Sequence, residues 1–257
     1  VVDTVMFGQS IVLDTYIPPD HPLFNDEVTS WPFDVEAASA LLDEIGWLDD
    51  DGDPATPRVA SGVTGVPDGT PLEFSYGTTS ATQRQQATQV MGESMALCGM
   101  KVNLEYYPAS EWFADGPDGA LFGRRTDLGQ FAWLTGVEPS CNLYQTENIP
   151  GAPDEINPYT GKLYTFGWGG QNQTGWSNPE YDAICNGALQ SLPGQPAYEE
   201  NHLEAQRIFG AELPVVPLYL RLKLAATRPD MCDFIMDQTN NSEFWNVENF
   251  GYGPLCE

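Results

Sequence analysis

Hydrophobic and polar positions keep a helical or strand period in two regions, separated by a long stretch that keeps neither. In the first region Val35, Ala38, Leu41, Leu42 and Ile45 share one helical face, with Asp34 as N-cap and Gly46 as a left-handed stop. Leu72, Phe74 and Tyr76 alternate, which predicts a strand over 71–77. A helix is predicted from 81 to 98, with Ala87, Val90, Met91, Ser94 and Leu97 inward and Gly99 ending it; Met91 and Met95 read as core packing. Met100, Val102, Leu104 and Tyr106 then alternate again. Strand, helix and strand of these lengths predict a parallel βαβ unit. A short helix around Glu111, Trp112 and Phe113 and a third strand from Asp127 to Leu134 follow.

The second region runs from Trp176 to Ala226. Asn178 is placed to cap a helix that opens on Pro179, and Tyr181, Ile184, Cys185 and Ala188 recur at its inward spacing. Pro196 opens another, with Ala205, Ile208, Phe209 and Leu213 on one side. Pro214 and Pro217 forbid further helix, and Val215 to Leu224 is apolar and β-rich, so a buried strand is predicted there. The segment FWNVENF near the end predicts a last strand. Between the two regions, residues 145–177 have no period but are rich in glycine, aromatics and amides; loops of that length are often functional.

Composition narrows the possibilities. With 41% hydrophobic and 12% aromatic residues the chain has enough apolar side chain for a globular fold. Its 10 basic and 37 acidic side chains give a net charge of −27, which excludes nucleic acid as a partner, since neutralising phosphates needs clustered cations. The charge is spread along the whole chain, as expected of a solubilising surface. Nothing in the chain resembles a signal peptide, and no apolar run is long enough to span a bilayer. A chain beginning naturally at residue 1 would be cytoplasmic; an internal piece of an exported protein would lack the signal for a different reason.

Candidate chemistry is sparse. Asp49, Asp51 and Asp53 have the spacing of a calcium loop, but Pro54 and Ala60 occupy the positions where that loop needs glycine and glutamate, so a solvated acidic turn is expected. The two histidines, His21 and His202, lie far apart in sequence and predict no metal site. There is no phosphate loop, dinucleotide fingerprint or nucleophile motif, and no cofactor is implied. Surplus carboxylates leave open one enzyme reading, a secreted carbohydrate-active hydrolase working with a carboxylate pair. Tryptophans 112, 133, 168 and 176 are candidates for a cleft wall. Trp133 leads them because it ends a strand, where open α/β sheets receive ligands.

Several strings occur in an order that carries a resemblance: FDVEAASALLDEIGW followed by DGD (33–53), RTDLGQFAWL (125–134), SNPEYDAI (177–184), EAQRIF (204–209) and LPVVPLYL (213–220). Together they resemble the family 5 extracellular solute-binding proteins of bacterial ABC importers, whose members bind oligopeptides and dipeptides. The resemblance implies a periplasmic-binding-protein type II-like α/β lobe with a mixed sheet and flanking helices, plus terminal strands belonging to a second lobe. It implies a crossing segment at 1–24, a ligand-binding lobe at 25–220 and a return to the first lobe at 221–257. It further implies capture of a peptide, sugar or other small solute, a membrane permease and an N-terminal lobe as partners, and a periplasmic or extracellular location with a lipid anchor.

The resemblance also orders the site residues. Gln130 matches a position that points into the cleft. In the peptide-binding members the next segment reads W-x-A-D-Y-x-D-P, and its first Asp meets the ligand's α-amine. Here it reads Trp133-Leu-Thr-Gly-Val-Glu-Pro139, with Thr135 or Gly136 in place of that Asp and Glu138 matching the later acid. Trp168, in the aperiodic stretch, completes the candidate ligand set. An exported chain would oxidise its cysteines, and the expected pairs are Cys141–Cys185 and Cys232–Cys256, with Cys98 a buried free thiol.

Overall fold

The computed structural model describes residues 1–53, 55–134, 136–237, 240 and 242–253. After an irregular start, α1 (Val35–Glu44) leads through β1 (Trp47–Leu48) to β2 (Val59–Ala60), which pairs with it antiparallel. Asp34 caps α1 by accepting from the Ala37 amide at 2.8 Å. Gly46 stops the helix at φ +95°, and a Cβ there would lie 2.5 Å from the Ser61 carbonyl oxygen. The side chain of Arg58 is buried behind this unit. It donates to the Asp43 carboxylate and to the carbonyls of Trp47 and Cys98, which ties the ends of two helices together.

The main sheet is β3 (Glu73–Thr79), β4 (Lys101–Tyr107) and β5 (Leu128–Gly129), ordered β4-β3-β5 and parallel throughout. The helix α2 (Thr82–Ala96) makes the crossover, as parallel neighbours require. On the β5 side the short α3 (Ala109–Trp112) places Trp112, fully buried, against β3. Its ring occupies the space beside Gly77, where a Cβ would come within 2.7 Å. That close approach explains a glycine in the middle of a strand.

The remaining body packs on α4 (Pro179–Leu189) and α5 (Pro196–Glu212). Asn178 caps α4 through both the Glu180 and Tyr181 amides. Tyr181, Cys185, Ala205, Ile208 and Phe209 form one buried cluster with Cys141 and Tyr144 from the preceding loop. The Cys141–Cys185 disulfide forms as expected, across a separation of 44 residues, and Cys98 is a buried free thiol. Cys232 is disulfide-bonded, while Cys256, its expected partner, lies outside the described residues. The tail adds an antiparallel pair, β6 (Met231–Cys232) with β7 (Gly251–Tyr252). Among the described residues no helix is long and apolar enough to cross a membrane.

Four expectations need correction. Residues 215–224 form no regular strand: an isolated bridge from Val12 to Tyr219 and the Leu220 amide bond to Ile11 are what ties them to the start of the chain. Two prolines remove donors in and beside the segment, and its far end is open, with Leu224 87% exposed. The third strand shrinks from eight residues to Leu128–Gly129. FWNVENF becomes a turn and a single 3₁₀ turn over Val247–Asn249, with β7 beyond it. Leu41, Ile45 and Leu97, expected inward, are 54%, 52% and 57% exposed.

This packing makes two outcomes measurable. The chain-entropy account gives a cross-link of this span about 4 kcal/mol. The Cys141→Ser/Cys185→Ser pair is therefore expected to lower the thermal midpoint by roughly 10 °C; an unchanged melt would refute it. His202, fully buried on α5, has neither ring nitrogen hydrogen-bonded, and burial lowers its pKa from the ordinary 6.5. A histidine held neutral gives stability that is complete above its unfolded pKa and lost as pH falls below it, because the unfolded chain alone takes up the proton. The denaturation midpoint should therefore drop between about pH 7 and 5.5, and His202→Phe should flatten that slope. Asp51, Glu73, Asp127 and Glu204, with lowered pKa values, lose their contributions only at more acid pH.

Candidate functional site

A cleft of about 680 Å³ opens where the carboxyl ends of β3 and β5 face the loop around Tyr144, the 171–174 turn and the extended segment 213–221. Its floor is aromatic. Tyr16 meets Phe209 edge-on at 5.0 Å and Tyr144 at 5.3 Å, and Tyr144 lies 4.9 Å from Phe209. Burial pushes the phenols of Tyr16 and Tyr144 above their ordinary range, so both stay protonated and can donate hydrogen bonds.

Gln130 and Trp133 both line this cleft. The Gln130 amide donates to the Gly77 carbonyl at 2.9 Å and its own carbonyl accepts from the Thr78 hydroxyl at 2.8 Å, so the sheet end fixes its backbone. The residue is 5% exposed, and its side-chain Oε1 is buried without a partner. Such an oxygen costs free energy unless something else donates to it. Trp133 is 42% exposed and stands edge-on to Phe131 at 5.3 Å, which meets Phe113 in turn at 6.5 Å. The ring is thus held from one side and open on the other.

The other expected ligand residues lie elsewhere. Thr135 is outside the described residues. Gly136 is half-buried in the loop beyond the cleft lining. Glu138 is exposed beside α5, where its charge adds to burial in raising the Tyr198 pKa and opposes the effect of burial on His202. Trp168 covers Gly116 so closely that a Cβ there would meet its ring at 2.2 Å. Trp112 is core, and Trp176 packs on Tyr181 at 4.8 Å while donating to Glu212. Met91 and Met95, read as core, line the cleft instead. Tyr76, Arg84, Tyr219 and Arg221 also line it, and nothing in the sequence marked them as site residues. They come from segments more than a hundred residues apart, and no local period could bring them together.

The stretch 136–177, which gives the cleft Tyr144, Gln171, Gln173 and Thr174, holds short 3₁₀ turns and one isolated bridge from Ile156 to Leu163. Its backbone is satisfied by buried side-chain amides. Asn172 Nδ2 donates to the carbonyls of Tyr144, Gln145 and Trp176, Asn157 donates to Thr146, and Asn148 to Asn142. No group of three or more potential metal ligands occurs among the described residues. Asp49, Asp51 and Asp53 accept from the amides of Gly52, Asp53 and Ala55, as an acidic turn does.

Comparisons with known proteins agree with this architecture. The sequence profile of bacterial extracellular solute-binding proteins, family 5 (middle region) matches residues 1–149. The di/tripeptide-binding protein 2 of Pseudomonas aeruginosa is 24% identical over 238 residues, 90% of this chain and 36% of that protein. The peptide transport periplasmic protein SapA of Salmonella typhimurium is 39% identical over 75 residues, 28% of this chain and 13% of that protein. Among solved structures, the oligopeptide-binding protein of Thermus thermophilus complexed with a pentapeptide superposes with a TM-score of 0.77 at 26% identity, over 98% of this chain and 40% of that one. A mannohexaose-bound oligopeptide-binding protein of Thermotoga maritima shares the fold at a TM-score of 0.68 and 19% identity, over 95% of this chain and 42% of that one. The chain thus spans little more than a third of the length of its relative from Pseudomonas. With the profile covering more than half of it, this chain belongs to the family 5 bacterial extracellular solute-binding proteins.

Proposed function

We propose that the chain supplies the ligand-cleft portion of the solute-binding component of an ABC importer. It captures a peptide or other small solute outside the membrane and delivers it to a permease. The observation that carries this reading is the aromatic-floored cleft at the sheet's carboxyl ends, where Trp133 and Gln130 offer an open ring and an unpartnered amide oxygen. Relatives named for di- and tripeptides, for a bound pentapeptide and for a bound hexasaccharide support a solute of that size.

In this reading the site acts by closing. Contacts from a second lobe, contributed by the rest of a longer protein, add to those of this cleft and favour the closed state by their differential free energy. Segments 1–24 and 221–257 would connect to that lobe, residues 25–220 would form this one, and a lipid anchor would hold the whole at the membrane. A carbohydrate hydrolase working through a carboxylate pair needs both carboxyl groups facing one cleft. Among the described residues that line this one, Asp127 is the single carboxylate, and its Oδ2 accepts from the Ser75 amide and hydroxyl at 2.8 Å. Binding therefore accounts for the cleft better than hydrolysis does.

Calorimetric titration of the full-length protein with trialanine tests this reading. Trp133→Ala should weaken binding by about tenfold or more, the loss of roughly 1.4 kcal/mol of ring contact. Trp168→Ala, which removes a ring packed on Gly116, should leave the affinity within about threefold. Equal losses from the two substitutions would contradict the placement of the site.

A further inference from the structure

The buried asparagines of the stretch 136–177 have their side-chain amides engaged on both sides. Asn172 Nδ2 donates to three carbonyls while its Oδ1 accepts from the Thr174 hydroxyl. Asn148 and Asn157 each donate to one carbonyl and accept from one backbone amide. Two glutamines carry the same functional group and depart from that pattern, and both line the cleft. Gln130 Oε1 and Gln173 Nε2 are buried, and among the described residues neither has a hydrogen-bond partner. Thr15, fully buried in the same lining, holds its hydroxyl in the same condition. A buried polar atom left open costs free energy, so the gathering of these atoms around one cavity needs a cause.

Both glutamines are held in place by their surroundings. Gln130, 5% exposed, is fixed at the end of β5 by the bonds of its own backbone to Gly77 and Thr78. Gln173 is half-buried in the turn that the cleft sets against the sheet, next to the buried and fully engaged Asn172. One offers an acceptor and the other a donor, and neither carries a charge. An ion brought against uncharged amides gives up its hydration and meets no counter-charge from them, whereas a neutral amide brings one N–H and one C=O.

We infer that the cleft reads an uncharged amide of its solute, a peptide bond, with Gln130 accepting from its N–H and Gln173 donating to its C=O. The Thr15 hydroxyl, able to donate or accept, completes the set. Gln130 and Gln173 are thus specificity-determining residues that respond to the solute's main chain and not to its ends or side chains. Such a site discriminates strongly, because an analogue without the matching group leaves the protein's own polar atom unpaired. This inference rests on the solute-capture reading.

The test is calorimetry on the full-length protein with trialanine, its two depsipeptide analogues and the neutral sugar maltotriose as probes. Each analogue replaces one of the two amides by an ester, which removes an N–H and leaves both charged ends in place. At least one of the two should bind about tenfold or more weakly than trialanine. In Gln130→Met, trialanine should weaken to the level of that ester, and the ester should change by no more than about threefold, so that the difference between them disappears. Because this variant removes a buried oxygen that has no partner, the solute-free protein should melt at the same temperature or higher. Gln173→Met should weaken trialanine by about tenfold and keep the amide–ester difference. The comparison of amide with ester in the unaltered protein needs no variant and so does not depend on how the variants fold. Equal binding of trialanine and both esters, an amide–ester difference that survives Gln130→Met, or binding of maltotriose alone would overturn the amide subsite and leave solute capture standing. Failure of every probe would overturn both.

Discussion

A cleft wall made without helices or strands must find partners for its own backbone. Residues 136–177 meet that demand with side-chain amides. One Asn172 amide group closes three carbonyls at 2.8–3.0 Å, and Asn148 and Asn157 close others. Each of these asparagines is almost fully buried, where an open carbonyl would cost about 1–3 kcal/mol. The disulfide from Cys141 and the Tyr181 hydroxyl bond to the Cys141 carbonyl pin the start of the wall to α4. The concavity keeps its shape because these buried amides do for an irregular stretch what ladder bonds do for a sheet.

The opposite side is set by close approach. Gly77 lets Trp112 lie against β3, and β5 then needs only two residues of pairing before the chain turns outward with Gln130, Phe131 and Trp133. Side chains from β3, the first turn of α2, the end of β5 and the 213–221 segment converge at the sheet's carboxyl edge. Open α/β sheets place ligands there because the loops leaving the strands diverge and leave a crevice. The chemistry found in the crevice is aromatic and donor-rich, which suits holding a molecule; among the described residues a paired acid and base is not part of it.

Much of the scaffold was legible in the sequence because its signals are local. Asn178-Pro179 marks the start of α4, Asp34 and Gly46 bracket α1, and alternation from Leu72 and from Met100 marks β3 and β4. The Cys141–Cys185 pair also appears as expected. The site was legible only in part. Apolar period cannot separate a core face from a cleft face, so Met91 and Met95 read as core although they border the cleft. A tryptophan in a glycine-rich loop reads as a wall residue, whereas Trp168 fills the space over Gly116. Val215 to Leu224 has the composition of a buried strand, but pairing needs a neighbour, and residues 10–12 offer only one bridge. Arg84 and Arg221 were invisible as a pair, since 137 positions of sequence separate them.

If the molecule works as proposed, it grips its solute in this cleft and returns it unaltered. Hydrogen exchange followed by mass spectrometry, on full-length protein purified with the solute it carries from its host, is the decisive check. Within this chain, slowed exchange relative to the stripped protein should centre on residues 76–84, 126–133 and 213–221, with the solute recovered at its original mass after prolonged incubation. Protection centred on another part of the chain, or recovery of cleaved products, would contradict a binding role for this cleft.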